Sequence, residues 1–191
     1  DSGLDTFDKL FTIAVNDLNE GPTGLSLSTD NIDENSPVGT VIGTLSALDP
    51  DAGTTFTFVE LDDPDDKFQI GGLNNDELQV GGLLDFETVI SHQVTLQVID
   101  NGDPGLTYDS TFTIILNDLN EGPTDILLSN TSIDENSSVG TVIGTLSAID
   151  PDAGTTFTFA EIVDLYVILI IGCRRNDEFQ FGGLLAFENA Q

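Results

Sequence analysis

The sequence contains few cations, one cysteine and few large aromatic residues. Its 191 residues include four Lys and Arg residues, a single cysteine (Cys173), and no Trp or Met. So few cations argue against binding to nucleic acid or to an anionic membrane surface, because both present phosphates that need Lys or Arg. One cysteine excludes an internal disulfide, and there is no Cys/His cluster for a zinc site.

Long hydrophobic runs are also absent. The longest run, VILII at 167–171, is far below the roughly 20 residues of a spanning helix, so we expect no membrane insertion by this segment. The chain begins with Asp and shows no charged-then-apolar leader, so no signal peptide is predicted. These features are typical of a fragment of a larger protein.

Acidic residues are abundant. The chain has 34 Asp and Glu residues, a net charge of −30, and a hydrophobic content of 39%, which is enough for packed cores in one to two domains. Two explanations fit the charge: solubility in a salty or extracellular setting, or a set of carboxylates that bind hard cations. Without bound cations, the carboxylates would repel one another and destabilise the compact state.

The sequence repeats itself after 101 residues. The stretch NDLNEGPT stands at 16–23 and again at 117–124, and residues 16–60 share 36 of 45 positions with residues 117–161. This register predicts three parts: the tail strand and linker of a preceding repeat (1–20), a complete repeat (21–121) and a partial repeat without its final strands (122–191). A fixed period of this length is a signature of tandem domains.

The complete repeat has the pattern of β-strands. Val94, Leu96 and Val98 alternate with polar residues, as expected of a half-buried strand, and Asp/Asn/Gly/Pro clusters separate such runs. Seven short strands in about 100 residues favour an all-β sandwich. The predicted strands are 24–28, 40–47, 54–59, 68–70, 77–80, 93–99 and 110–116.

One segment departs from the repeat. Residues 64–74 read PDDKFQIGGLN, whereas residues 165–175 read LYVILIIGCRR, and the register returns at Asn176. Two interpretations stay open: a pair of compensating reading-frame shifts, or ordinary divergence of one strand. Because VILII is uncharged and rich in β-formers, it is also a predicted aggregation hazard.

Several motifs together resemble the cadherin repeat, in the form found in large bacterial surface adhesins. They are IDENSPVGTVIGTLSALDPDAG (32–53), LDFE (84–87), VIDNGDP (98–104) and the linker NDLNEGP. The resemblance covers essentially the whole chain. It implies tandem seven-stranded Greek-key β-sandwiches with calcium bound between successive repeats. Calcium takes six to eight oxygen ligands, which loops from two adjoining domains can supply together.

The resemblance also implies which residues bind calcium. At the junction after the complete repeat, the expected set comprises the side chains of Glu34, Asp85, Glu87, Asn120, Glu121, Asp150 and Asp152, the carbonyls of Leu119 and Gly122, and Asp118 as a supporting group. At the preceding junction the expected residues are Asn19, Glu20, Asp49, Asp51 and Asp100, without a partner repeat upstream.

This sequence departs from the family pattern at three points. Glu121 replaces the linker Asp that is common in animal members, and Gly122 replaces the next Asn. Ala186 stands where the complete repeat has Asp85, which weakens a further junction. The partial repeat has no counterpart of Asp100, so a third ion at the junction after the complete repeat is doubtful.

The same residues allow other interpretations. Asp and Gly in DPDAG are also ordinary turn residues. GGLNNDELQ (71–79) imitates one calcium-binding β-helix repeat, but the next GG comes ten residues later and breaks the nine-residue period. Asp85 and Glu87 could form a glycosidase pair, yet no aromatic cleft signature accompanies them. His92 is a lone histidine and is predicted to be a solvated surface residue.

The leading functional prediction is a calcium-rigidified, non-enzymatic segment of a cell-surface adhesin, outside the cell. Its expected partners are calcium ions and other surface molecules or like chains, with possible homophilic adhesion, and no nucleic acid. The alternatives are a metal-independent structural spacer and a polysaccharide-binding accessory module.

Overall fold

The computed structural model describes residues 7–160, 169–171 and 177–181. The chain divides into two compact units, unit 1 (Asp1–Asp118) and unit 2 (Leu119–Gln191). Ala186 and Cys173 lie outside the described residues, as do 165–168 and 172–175 of the divergent segment. Within the described ranges no helix is long and apolar enough to cross a membrane.

Unit 1 is a sandwich of two four-stranded sheets. One sheet has the order β1-β3-β6-β5 and the other β2-β8-β7-β4. The strands are β1 (Gly24–Leu27), β2 (Asn31–Asp33), β3 (Val41–Leu48), β4 (Phe56–Asp62), β5 (Phe68–Gly71), β6 (Glu77–Val80), β7 (Ser91–Asp100) and β8 (Thr107–Asn117). The all-β sandwich predicted from the sequence is therefore observed.

Period-two alternation builds the core between the sheets. Strand β7 turns Val94, Leu96 and Val98 inward, and all three are fully buried. Their cross-strand neighbours on β8 include Phe112, opposite Val94, and Tyr108, opposite Val98. Since alternate residues of a strand face opposite sides, the polar residues between them face outward.

Strand β2 was not predicted. All seven predicted strands are present, with bounds shifted by up to three residues, and β2 is an eighth. It pairs in parallel with the end of β8, Asn31 opposite Ile115 and Asp33 opposite Asn117. At three residues it is too short for a periodic signal, and β1 precedes it in the other sheet.

One further expectation is corrected. His92 is not a solvated surface residue: it is 5% exposed, its Nδ1 lies 2.7 Å from Asp65 Oδ2, and its ring meets Phe68 edge-on at 6.2 Å. Residues 71–79 form the turn and flanks of an antiparallel β5–β6 hairpin, in agreement with the broken nine-residue period.

The described part of unit 2 reproduces the first sheet of unit 1. Its strands are β9 (Asp125–Leu128), β10 (Val142–Ile149), β11 (Leu169–Ile171) and β12 (Glu178–Phe181), in the order β11-β12-β10-β9. The register is that of unit 1 moved by 101 residues, including the bulge near the start of β3 and of β10. Strand β11 lies in the divergent segment and pairs with β12 as β5 pairs with β6.

Candidate metal centres

The first candidate centre lies at the end of unit 1 where β3 and β7 finish. The β3–β4 loop carries DPDAGT and folds on itself. Asp51 N donates to Asp49 Oδ1 at 2.8 Å, and Thr54 Oγ1 donates to the Asp51 carbonyl at 2.9 Å. This is the local side-chain-to-backbone bonding that Asp favours in turns. These bonds use the backbone of Asp51 and leave its carboxylate available to residues outside the loop.

The linker before β1 is tied to two loops of this end. Glu20 N donates to Asp51 Oδ2 at 2.8 Å, while Asn19 Nδ2 donates to Asp100 Oδ2 at 3.1 Å and to the Pro104 carbonyl at 3.3 Å. Gly102 permits this approach, since a Cβ there would lie 2.0 Å from Asn19 Oδ1. All five residues predicted for this junction therefore belong to one group of loops.

Asp100 is held as a carboxylate. Burial by itself would raise the pKa of Asp100, which is 6% exposed, but its Oδ1 accepts hydrogen bonds from Leu106 N (2.9 Å) and Gly102 N (3.0 Å). Together with Asn19 these donors hold the pKa of Asp100 below its usual value. Hydrogen bonds to the charged form outweigh desolvation here.

Three carboxylates converge beside these bonds. Oxygens of Asp17, Glu20 and Asp51 lie within 4.8 Å of one another. Asp17 and Asp51 also line an open cavity of about 250 Å³, together with Asn101 and Gly102. Hydrogen bonding to Asp51 and the charge of Asp51 raise the pKa of Glu20. Like charges this close resist joint ionisation, and a divalent cation would relieve that repulsion.

Asp17 was missed by the sequence reasoning. The 101-residue register makes Asp17 the counterpart of Asp118, which was named as a supporting group. Applying the same logic to the first linker would have found it.

Unit 2 repeats this arrangement with its own linker. Glu121 N donates to Asp152 Oδ2 at 2.8 Å, and Asp152 N donates to Asp150 Oδ1 at 3.1 Å. Thr155 Oγ1 donates to the Asp152 carbonyl at 3.1 Å. Asn120 differs from its counterpart Asn19, because its Nδ2 donates to the Glu121 carbonyl at 2.7 Å.

The opposite end of unit 1 carries another carboxylate group. Oxygens of Glu34, Asp85 and Glu87 lie within 4.8 Å of one another. Strand β2 positions Glu34, which directly follows it and donates its N–H to the Asn117 carbonyl at 3.1 Å. Phe86 N donates to Glu34 Oε2 at 2.9 Å. Glu34 is only 1% exposed.

Asp85 and Glu87 come from the β6–β7 connection. Asp85 caps a short turn, accepting from Thr88 N at 3.0 Å and Thr88 Oγ1 at 2.9 Å. Glu87 is exposed, and one of its oxygens lies within 4.8 Å of an oxygen of Asp118. The ten-residue strand β7 separates the two ends of unit 1 by about 30 Å at 3.3 Å per residue.

The donor chemistry fits a hard cation. All members of these groups offer oxygen, and buried carboxylate oxygens require a partner. Asp49 Oδ2 and Asp150 Oδ2 are both shielded from solvent and accept no hydrogen bond from the described residues. The same unsatisfied atom at equivalent positions of both copies points to a ligand that both copies share.

The predicted residues of the later junction fall into two described groups, each within its own unit. Glu34, Asp85, Glu87 and Asp118 belong to unit 1, and Asn120, Glu121, Asp150 and Asp152 belong to unit 2. Leu119 and Gly122 flank the latter group in the linker. That both groups bind the same ions stays a prediction.

Comparisons with known proteins agree with this architecture. Residues 29–117 match the family model described as Cadherin domain. Human Protocadherin Fat 4 is 33% identical over 150 residues, covering 75% of this chain and 3% of that protein. Bovine Cadherin-18 is 30% identical over 147 residues, covering 75% of this chain and 19% of that protein. The chain thus spans less than a fifth of either relative.

Solved structures share the fold. Human Protocadherin-24 EC1-2 has a TM-score of 0.59 at 23% identity, covering 91% of this chain and 82% of that chain. Mouse Cadherin-23 EC22-24 has a TM-score of 0.54 at 23% identity, covering 85% and 55%. At such identities the likeness shows the fold alone.

Proposed function

Residues 29–117 are a cadherin domain, and on this premise we propose that the chain is a calcium-binding segment of an extracellular adhesion protein. Cadherin domains bind calcium and serve adhesion rather than catalysis, which confirms the prediction of a non-enzymatic module. The proposal for this chain is that calcium binds where successive repeats meet and makes the array stiff.

One observation carries the proposal. In both copies, the linker Glu donates its N–H to the second Asp of DPD, while the first Asp keeps a buried oxygen without a hydrogen bond. Turn chemistry explains the bond from Asp51 N to Asp49 Oδ1 but leaves Asp49 Oδ2 unsatisfied. A calcium ion would satisfy it and neutralise the neighbouring carboxylates.

We assign the ligands as follows. After the complete repeat (21–121), the ions are bound by Glu34, Asp85, Glu87, Leu119, Asn120, Glu121, Gly122, Asp150 and Asp152, with Asp118 beside them. Before it, the available ligands are Asn19, Glu20, Asp49, Asp51 and Asp100, joined by Asp17. Residues 1–20 and 122–191 belong to the neighbouring repeats.

The mechanism follows from charge. Without the ion, the carboxylates within each group repel one another, and only hydrogen bonds connect the linker to the loops. With the ion, linker and loop oxygens are fixed around one centre, and the folded state gains stability by mass action. A stiff array would project a binding surface or engage a like chain. The relatives named above are animal proteins, and a bacterial-type adhesin is a finer proposal that rests on the motif resemblance.

Calorimetric titration with calcium tests the proposal. We expect saturable binding to the full chain, a higher melting temperature in calcium than in chelator, and a change in dimensions by small-angle scattering. Asp51→Asn should weaken binding at the first centre about tenfold or more, since it removes a charged ligand.

The matched control is Asp62→Asn. Asp62 is exposed on β4 and lies outside the carboxylate groups found among the described residues. Its substitution therefore removes the same charge as Asp51→Asn but no proposed calcium ligand. Equal binding by wild type, Asp51→Asn and Asp62→Asn, or identical melting in calcium and chelator, would leave the metal-independent spacer as the function. Retention on a glycan column with no calcium response would favour the polysaccharide-binding module.

A further inference from the structure

Unit 2 contains two acceptor sequences for N-linked sugar. Asn130-Thr131-Ser132 and Asn136-Ser137-Ser138 are the two Asn-x-Ser/Thr tripeptides without proline in the chain. In proteins that enter the secretory route, this tripeptide is the acceptor of N-glycosylation. We propose that Asn136 is a glycosylation site; the proposal rests on the extracellular location proposed above and applies to an animal secretory route, as for the animal relatives, not to a bacterial-type adhesin.

The structure presents Asn136 for modification. It is exposed, in a turn between β9 and β10, with a positive φ of 63°. The turn is closed by its neighbour, because Ser137 Oγ and Ser137 N donate to the Asp134 carbonyl at 2.7 and 3.4 Å. In the described part of the chain, the Asn136 side chain makes no hydrogen bond, so a sugar on Nδ2 displaces nothing.

Asn130 has the same motif but a different environment. Its Nδ2 donates to the carbonyls of Ser132 (2.8 Å) and Ile143 (2.9 Å), which holds the segment against β10. A glycosidic bond replaces one of these two N–H groups. It also places a sugar beside a close backbone approach, since a Cβ added at Gly144 would lie 2.9 Å from Asn130 N. Occupancy at Asn130 therefore opposes folding of this edge.

The transfer is balanced without any redox change. Asn136 Nδ2 attacks C1 of the reducing sugar of a lipid-pyrophosphate-linked oligosaccharide. The N–C1 bond forms, the C1–O bond to pyrophosphate breaks, and the amide loses one proton as the lipid pyrophosphate leaves.

Unit 1 supplies an internal control. Asn35 is the counterpart of Asn136 and has a similar φ of 55°. The loops also share a hydrogen bond at 3.0 Å, from Thr40 N to the Pro37 carbonyl and from Thr141 N to the Ser138 carbonyl. Only the residue at the second position after Asn differs, Pro37 against Ser138, and proline there removes the acceptor motif.

The experiment expresses the full chain behind a cleavable secretory leader in animal cells. The secreted protein is analysed by intact mass and by peptide mapping, before and after an enzyme that removes N-linked glycans. We expect a glycan at Asn136 and none at Asn130. Asn136→Gln and Ser138→Ala should abolish the mass shift, Asn130→Gln should leave it unchanged, and Pro37→Ser should add a second glycan at Asn35.

Unmodified Asn136 in the secreted protein, or a glycan at Asn130 in its place, overturns the proposal. If a variant is not exported, in vitro translation with microsomal membranes gives the same readout, because protease protection identifies translocated chains. A translocated chain without a glycan at Asn136 also overturns it. Calcium titration of unglycosylated protein made in bacteria tests the proposed function separately.

Discussion

The linker NDLNEGPT occurs twice, yet its second asparagine makes different hydrogen bonds in the two units. Asn19 donates to Asp100 at the end of β7 and to Pro104 in the β7–β8 loop, whereas Asn120 donates to the neighbouring Glu121 carbonyl. The 191-residue sequence contains one copy of that loop. A hydrogen bond between distant segments thus requires the partner segment, and two identical linkers need not make the same bond.

The linker glutamates show the opposite behaviour. Glu20 and Glu121 both donate their N–H to the second Asp of DPD at 2.8 Å, because DPDAGT is present in both copies. The same contrast holds for packing. Leu45 and Leu146 occupy equivalent registers, opposite Leu27 and Leu128, but Leu45 is buried and Leu146 half-buried.

Truncating that leucine pair should give the largest difference between the units. Leu45→Ala should lower the stability of unit 1 by about 3 kcal/mol, because it leaves a cavity in a packed core. Leu146→Ala should cost clearly less in unit 2. Hydrogen exchange followed by mass spectrometry reads the opening free energy of β3 and β10 separately. Equal losses in both strands would mean that the two cores are equally complete.

Removing the carboxylate at the end of β7, that of Asp100, should have the next largest effect. Asp100→Ala leaves Leu106 N, Gly102 N and the Asn19 amide without their acceptor, so unit 1 should lose about 2–3 kcal/mol. Asp109→Ala is the control, an exposed acid on β8 that accepts one bond, from Gln97 Nε2. In chelator, the denaturant midpoint of unfolding should fall for Asp100→Ala and change little for Asp109→Ala. Similar shifts for the two variants would contradict a structural role for Asp100.

Substituting the two asparagines tests the comparison directly, with a smaller effect. In chelator, Asn19→Ala should cost about 1 kcal/mol in unit 1, because Asp100 loses a donor from another segment. Asn120→Ala should cost less, because its bond is local and exposed. Hydrogen exchange at the β7–β8 loop reports the first variant. If Asn120→Ala lowered protection from exchange more than Asn19→Ala does, the predicted ranking of the two hydrogen bonds would be wrong.

Much of this fold was accessible from the sequence because it rests on local signals. Period-two alternation located β7 and β8, and the 101-residue register transferred each element to the second copy. The sequence could not locate β2, since three residues carry no period and its pairing partner β8 lies more than 80 residues away. Burial of His92 was missed for a similar reason, as its partner Asp65 comes from a distant turn.

The same distinction between local and long-range signals applies to the candidate ligands. Asp49 and Asp51 sit in a short motif whose hydrogen bonds are local, so the residues alone identify them. The convergence of Asp51 with Asp17 and Glu20 also requires the linker, since Glu20 stands 31 residues before Asp51. Glu34 is buried at the end of β2, where its carboxylate accepts a hydrogen bond from Phe86 N, and the sequence offers no sign of that burial.

The acid turn at 62–66, of which the second repeat keeps only Asp164 in place of Asp63, gives the smallest predicted difference. Burial, Asp63 and Asp66 raise the pKa of Glu60, and Val167 stands in the second repeat where the first has Asp66. A raised carboxyl pKa in the folded state means that ionised Glu60 destabilises unit 1 at neutral pH. Glu60→Gln should therefore stabilise unit 1 at pH 7, by less than about 1 kcal/mol because the site is largely exposed.

The gain from Glu60→Gln should shrink as the pH falls through the raised pKa, where wild-type Glu60 becomes neutral, and vanish below the ordinary Glu pKa. Denaturant unfolding of wild type and variant in chelator, from neutral to acid pH, measures the difference while calcium sites stay empty. Glu77→Gln is the control, since Glu77 instead accepts a hydrogen bond from Gln79. A gain that stays constant with pH would show that Glu60 acts through packing, and the acid turn would then not distinguish the two repeats electrostatically.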